Sequence, residues 1–144
     1  MADRLTLRII TPEHIALDTT ASSVSIPATD GSMGILPRHA TMIAALEPGL
    51  LHFKQEGGID VEMFVSGGFA EVRDNTVRIV CEAGERAEEI DVERAREAEQ
   101  RARERLHVDV TGPGTAIDSL RAEAALERAR VRQRISGRRS HSSS

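Results

Sequence analysis

The chain has no tryptophan or tyrosine and only three phenylalanines, so aromatics make up 2% of its 144 residues. That argues against the stacking platforms that hold bases and sugar rings. Its single cysteine, Cys81, cannot form an internal disulfide and leaves no cysteine cluster for a metal. It reads instead as a small buried hydrophobe in a strand. No apolar run approaches the roughly 20 residues that cross a bilayer as a helix. The opening residues, Met1 to Thr6, show no basic patch followed by an apolar stretch, so no secretory leader is expected and the chain is expected to stay in the cytoplasm.

Catalytic constellations are lacking too. His14, His39, His52, His107 and His141 are scattered, and none stands in a nucleophile–base motif. The acidic group Glu88, Glu89 and Asp91 suits a solvated helix start better than a metal site. Gly31-Ser32-Met33-Gly34 and Ser66-Gly67-Gly68 lack the Lys-Ser/Thr ending of a phosphate loop and the third glycine of a dinucleotide fingerprint, and they read as turns.

What is present divides the chain in two. Residues 1–90 hold 7 Lys+Arg and 14 Asp+Glu, whereas residues 91–144 hold 12 and 9. In the first half Leu5, Leu7 and Ile9, then Val24 and Ile26, then Val61, Met63 and Val65 recur at every second position, the period of half-buried strands. Turn signals fall between them: Thr29-Asp30-Gly31, Pro48-Gly49, Glu56-Gly57-Gly58, Ser66-Gly67-Gly68 and Asp74-Asn75. Short strands with Gly-rich turns predict a sandwich or barrel.

From Asp91, a good N-cap, the period becomes helical. Ala95, Ala98, Ala102 and Leu106 share one face. Gly112-Pro113-Gly114 breaks this helix, residues 115–118 offer caps for a second, and Ala122, Ala125, Leu126 and Ala129 form its stripe. The fold class is therefore α+β: a β-sandwich or barrel of short antiparallel strands over 1–88, an antiparallel two-helix hairpin over 89–136 and a disordered tail over 137–144. Alanine stripes bury one carbon per position, at about 0.8 kcal/mol each, so docking of the hairpin should be marginal; a movable element and a permanently docked one both fit. Residues 121–144 hold seven arginines against Glu123 and Glu127, which suits an acidic protein surface, nucleotide phosphates or a plain solvated face.

The succession Gly31-Ser32-Met33-Gly34-Ile35-Leu36-Pro37-Arg38-His39-Ala40, Pro48-Gly49, Ser66-Gly67-Gly68-Phe69-Ala70-Glu71-Val72 and Ile90-Asp91-Val92-Glu93-Arg94-Ala95 resembles the epsilon subunit of F-type rotary ATP synthases in motif, order and spacing. The resemblance spans residues 4 to about 135. It departs at Ser32, where family members can carry an acidic residue, and in the Gly/Pro-rich connection 108–116.

The resemblance implies a non-catalytic rotor subunit that couples ion flow to ATP synthesis and whose C-terminal helices inhibit ATP hydrolysis. The implied partners are the gamma subunit, the c-ring and the alpha/beta catalytic head, not nucleic acid, and the implied place is peripheral, on the cytoplasmic face of the cell membrane. It also implies that the loop from Gly31 to Ala40 faces the rotor ring, with Ser32, Arg38 and His39 as its contacts. No cofactor is required. A regulatory ATP is implied at Glu85, Ile90, Asp91, Arg94, Ala95, Arg128 and Arg132, with Arg128 and Arg132 on the phosphates, Asp91 or Glu85 on the adenine amino group and Arg94 bridging ligand and hairpin. The competing reading has Asp91 only capping the helix and the arginines solvated or gripping the catalytic head. Two rivals to the rotor subunit are a free-standing nucleotide-binding module and an Arg-rich polyanion binder.

Overall fold

A computed structural model describes residues 4–108 and 115–139. Two compact units follow one another, Met1–Ala87 and Glu88–Ser144. The first contains strands β1 (Leu5–Ile10), β2 (Ile15–Ala21), β3 (Ser23–Ala28), β4 (Gly31–Ile35), β5 (Met42–Lys54), β6 (Asp60–Arg73), β7 (Thr76–Val80) and β8 (Gly84–Arg86). Their order in the sheet is β2-β1-β7-β6-β5-β3-β4, with β8 beside β6. Every pair is antiparallel except β1 with β7.

The period-two residues are the core. Leu5, Leu7, Ile9, Ile26, Val65, Val77 and Ile79 are fully buried, and Val24 and Met63 nearly so, in one cluster that draws on both ends of the strand order. The sheet thus folds back over its own apolar face as a sandwich. Cys81 is buried one residue past the end of β7.

Two strands are long rather than short. β5 and β6, of 13 and 14 residues, pair without a register shift from Met42↔Val72 to Lys54↔Asp60. Along its first half β6 also pairs β8, at Met63 to Val65; along its second half it pairs β7, at Phe69 to Arg73. Ser66-Gly67-Gly68 therefore marks a change of neighbour within one strand, not the turn expected. Gly67 and Gly68 have φ of 104° and 114°, and a Cβ on Gly68 would stand 2.0 Å from the Val80 carbonyl oxygen.

Pro48-Gly49 likewise lies inside β5, where that strand bulges against β3 between Ser25↔His52 and Ala28↔Leu46. There a Cβ on Gly49 would meet the Pro27 Cβ at 2.7 Å. Gly31 to Gly34, also expected as a turn, forms most of β4. Local propensity cannot separate these cases, because glycine serves a close approach as well as it serves a turn. The chain does turn at Thr29-Asp30, at Glu56–Gly58 and at Asp74-Asn75.

The second unit contains α1 (Val92–Val108) and α2 (Thr115–Arg139). Asp91 is the N-cap: its Oδ1 accepts the Arg94 N–H at 3.1 Å, and its carbonyl accepts the Ala95 N–H at 3.0 Å. Ala95 and Ala102 of α1 and Ala122 and Ala129 of α2 are buried, with Ala98, Leu106, Ala125 and Leu126 half-buried beside them. Val131 and Ile135 are buried too, although they lie off the predicted stripe. α2 continues through Gly137 to Arg139, past the expected start of the tail. The breaker 112–114, the side chains of the cap candidates 115–118 and residues 140–144 lie outside the described residues.

Gln133 Nε2 donates to Glu99 Oε1 at 2.7 Å across the helix pair, and Arg103 meets the other carboxylate oxygen at 2.7 Å. The Gln133 bond above all, with Arg103 and Arg130, holds the Glu99 carboxyl below the usual carboxylate value against a smaller opposing effect of burial. With Glu99 and Gln133 side by side, parallel helices would leave the end of α1 and the start of α2 about 40 Å apart along their axes. Seven peptide links of about 3.8 Å cannot span that, so the pair is antiparallel.

Gly68→Ala should destabilise the chain by about 3 kcal/mol or more, since it adds left-handed strain to a clash with backbone. Gly34→Ala, whose Cβ would meet nothing within 4 Å, should change stability by less than about 1 kcal/mol. Urea midpoints of the two variants check the contrast.

Candidate functional site

The expected ring-facing segment is part strand and part loop. Ser32 lies in β4, and its Oγ pairs with the Ser25 Oγ at 3.0 Å on an exposed face. Residues 36–41 form the loop into β5. Leu36 at its start is 63% exposed. Arg38 sits in the left-handed region at φ 68°, and its N–H donates to Asn75 Oδ1 at 2.7 Å. His39 Nδ1 lies 2.8 Å from the Ala40 carbonyl oxygen. The structure therefore keeps Arg38 and His39 together on one loop and sets Ser32 apart on the edge strand.

A second surface escaped the sequence reading. On the face of β1, β2, β5, β6 and β7 turned away from the core, one cross-strand row reads Asp18, Arg8, Arg78, Glu71, Ile43. The adjacent arginines are each flanked by a carboxylate, Arg8 by Asp18 at 3.4 Å and Arg78 by Glu71 at 3.8 Å. These exposed pairs offset like-charge repulsion and contribute little more, roughly 0–1 kcal/mol each.

The next row reads Ile15, Ile10, Val80, Phe69, Ala45. It is apolar from end to end, and Ile15, Phe69 and the neighbouring Ile43 are 57%, 45% and 72% exposed. A cleft of about 370 Å³ opens beside it, lined by Ile10, Pro12, Gly68, Phe69, Val80 and Cys81 among others. Burial pushes the Cys81 thiol up to about 11, so it stays protonated at neutral pH and offers no nucleophile. Part of the signal was in the sequence, since Ile10 follows Ile9 and Val80 follows Ile79 where the alternation calls for a polar side chain; Phe69, in step with Val61, Met63 and Val65, reads as core until the strand shifts parity at Gly67-Gly68.

Of the residues expected to hold ATP, Glu85 lies on β8 in the first unit and the others belong to the second. Ile90 and Ala95 are buried and Asp91 is committed to its cap. Arg128 and Arg132, half-buried, stand one turn apart on α2. Given the Glu99–Gln133 register, Asp91 is offset along the hairpin by about 14 Å from Arg132 and about 20 Å from Arg128. A ligand touching all three would lie lengthwise along the helices. Among the described residues no group of three or more His, Cys, Asp or Glu could hold a metal.

The profile of the ATP synthase Delta/Epsilon chain beta-sandwich domain matches residues 4–87, and that of the long alpha-helix domain matches residues 88–137. The chain is 48% identical to the ATP synthase epsilon chain of Symbiobacterium thermophilum over 98% of both proteins. It is 42% identical to that of Nitratidesulfovibrio vulgaris over 95% of this chain and 98% of the relative. Among solved structures, a chain of the Euglena gracilis mitochondrial ATP synthase OSCP/F1/c-ring assembly superposes with a TM-score of 0.71 at 29% identity, covering 88% of this chain and 78% of that one. A chain of the Tetrahymena thermophila central stalk/c-ring assembly shares the fold, with a TM-score of 0.64 at 15% identity over 93% and 97% of the two chains. Two domain matches in the right order and relatives aligned almost end to end place this chain in the ATP synthase Delta/Epsilon chain family, among the epsilon chains.

Proposed function

We propose that this chain is a non-catalytic central-stalk subunit that docks on the gamma subunit through its apolar outer row and meets the c-ring through the 36–41 loop. The observation that carries this reading is the row itself. Ile10, Ile15, Phe69 and Val80, with Ile43 beside them, form an apolar surface beside a cleft on a sheet face whose other rows are charged and threonine-bearing. Such a patch, rimmed by charge, marks a protein interface. The family membership and a similar chain in an OSCP/F1/c-ring assembly support gamma as the occupant. The complex would hold the subunit peripherally on the cytoplasmic face of the membrane; among the described residues no helix is long and apolar enough to cross it.

The hairpin is the inhibitory element in this proposal. Apart from Ile90, Val131 and Ile135 it buries alanines where the first unit buries leucine, isoleucine and phenylalanine, so less free energy per residue holds it closed. Its exposed arginines, Arg130 and Arg134 among them, suit the acidic surface of a catalytic head. ATP enters the same proposal as a regulatory ligand that favours the closed hairpin, with Arg128 and Arg132 on its phosphates and no chemistry of its own. A ligand shifts such an equilibrium only by its difference in affinity between the two states.

Three outcomes are expected. Phe69→Glu and Ile43→Glu should leave the urea midpoint nearly unchanged yet weaken binding to the gamma subunit at least tenfold; unchanged affinity would show that gamma docks elsewhere. Removing residues 91–144 should preserve ATP synthesis and raise ATP hydrolysis in the assembled enzyme, and equal hydrolysis in both forms would reject the brake. Calorimetric titration of the full chain with ATP should give saturable heat that Arg128→Ala and Arg132→Ala abolish. No heat at millimolar ATP would rule out ATP regulation.

A further inference from the structure

The turn between β6 and β7 consists of Asp74 and Asn75, with Arg73 and Thr76 paired on either side. Both turn residues are left-handed, at φ 49° and 60°. This is the two-residue I′ hairpin loop, whose second position is filled most cheaply by glycine. Asparagine also tolerates the conformation. What it adds is a side-chain amide, and that amide is used elsewhere.

Asn75 Oδ1 accepts the N–H of Arg38 at 2.7 Å, from a residue 37 positions earlier in the chain. The Asn75 carbonyl accepts the N–H of Thr6 at 2.8 Å. One turn residue therefore ties the start of β1 to the loop between β4 and β5. Arg38 is itself a non-glycine residue in the left-handed region, at φ 68°, a conformation that persists where surrounding structure holds it. It follows Pro37, which restricts φ but has no N–H to donate.

We propose that Asn75 is the positioning residue of the 36–41 loop: its Oδ1 holds Arg38 left-handed and so sets the direction in which the Arg38 and His39 side chains leave the sandwich. The positioning role stands on the geometry alone. Its consequence for c-ring contact rests on the docking proposed above. The glycine preference of the turn separates the two duties of Asn75, because glycine there would keep the turn and delete only the acceptor.

The test uses the full chain with Asn75→Gly and Asn75→Asp. Asn75→Gly should leave the urea midpoint equal or raise it, while amide exchange of Arg38, followed by NMR, speeds at least tenfold and the order parameters of residues 37–40 fall. Asn75→Asp retains an acceptor oxygen and should restore both to within a factor of about two of the parent. Unchanged Arg38 exchange in Asn75→Gly would overturn the proposal, as would a lowered midpoint with a loop no more mobile than before, since Asn75 would then serve only the turn. Binding to a gamma–c-ring assembly separates the two readings. A freed loop with undiminished affinity sustains the role of Asn75 and rejects ring contact by the loop. Lost affinity with a loop that keeps its Arg38 protection rejects Asn75 and leaves the contact standing.

Discussion

β6 can serve two neighbours in succession because one of its residues has no side chain. Where it passes from β8 to β7, the Val80 carbonyl oxygen stands 2.0 Å from the place a Cβ on Gly68 would occupy. That approach lets Phe69 pair with Val80 directly after the strand has left β8. It also puts Ala70 and Val72 inward beside Ile79 and Val77, closing the core. The same step turns Phe69 outward, next to Val80 and Ile10, and opens the cleft at Gly68 and Cys81. Core and apolar outer row thus meet at one backbone contact.

The two units are stabilised in different ways. The first buries whole aliphatic and aromatic side chains, each worth about 1.5–3 kcal/mol relative to exposure. The second packs mostly alanines, with Ile90, Val131 and Ile135, and adds a polar clasp of Glu99, Gln133 and Arg103. Shallow packing brings two helices together without locking them, while a clasp that needs one carboxylate opposite one amide defines their register.

The outer face is graded along the strands. Threonines Thr6, Thr20 and Thr76 lie toward the Asn75 turn, the charged row of Arg8 and Arg78 lies in the middle, and the apolar row lies at the cleft. The loop with Arg38 and His39 adjoins the threonine end through Asn75. The apolar row and the 36–41 loop therefore lie toward opposite ends of these strands.

Much of this was legible in the chain itself. Alternation marked Leu5, Leu7, Ile9, Val24, Ile26, Met63 and Val65 as core, and each is buried because a strand's pleat imposes that period wherever one face is covered. Asp91 announced the start of α1 because its cap is made with a backbone N–H three residues away. The alanine stripes announced the helix pair for the same reason of local periodicity. What only the tertiary structure decided involves partners distant in sequence. Gly49 and Gly68 read as turn residues until Pro27 and Val80 are seen against them. The apolar row assembles from five strands, none of which shows it alone. Asn75 reads as part of a tight turn until Arg38 arrives from 37 residues away to use its side chain. Sequence determined what repeats over a few residues; the fold determined every contact whose two halves the chain keeps apart.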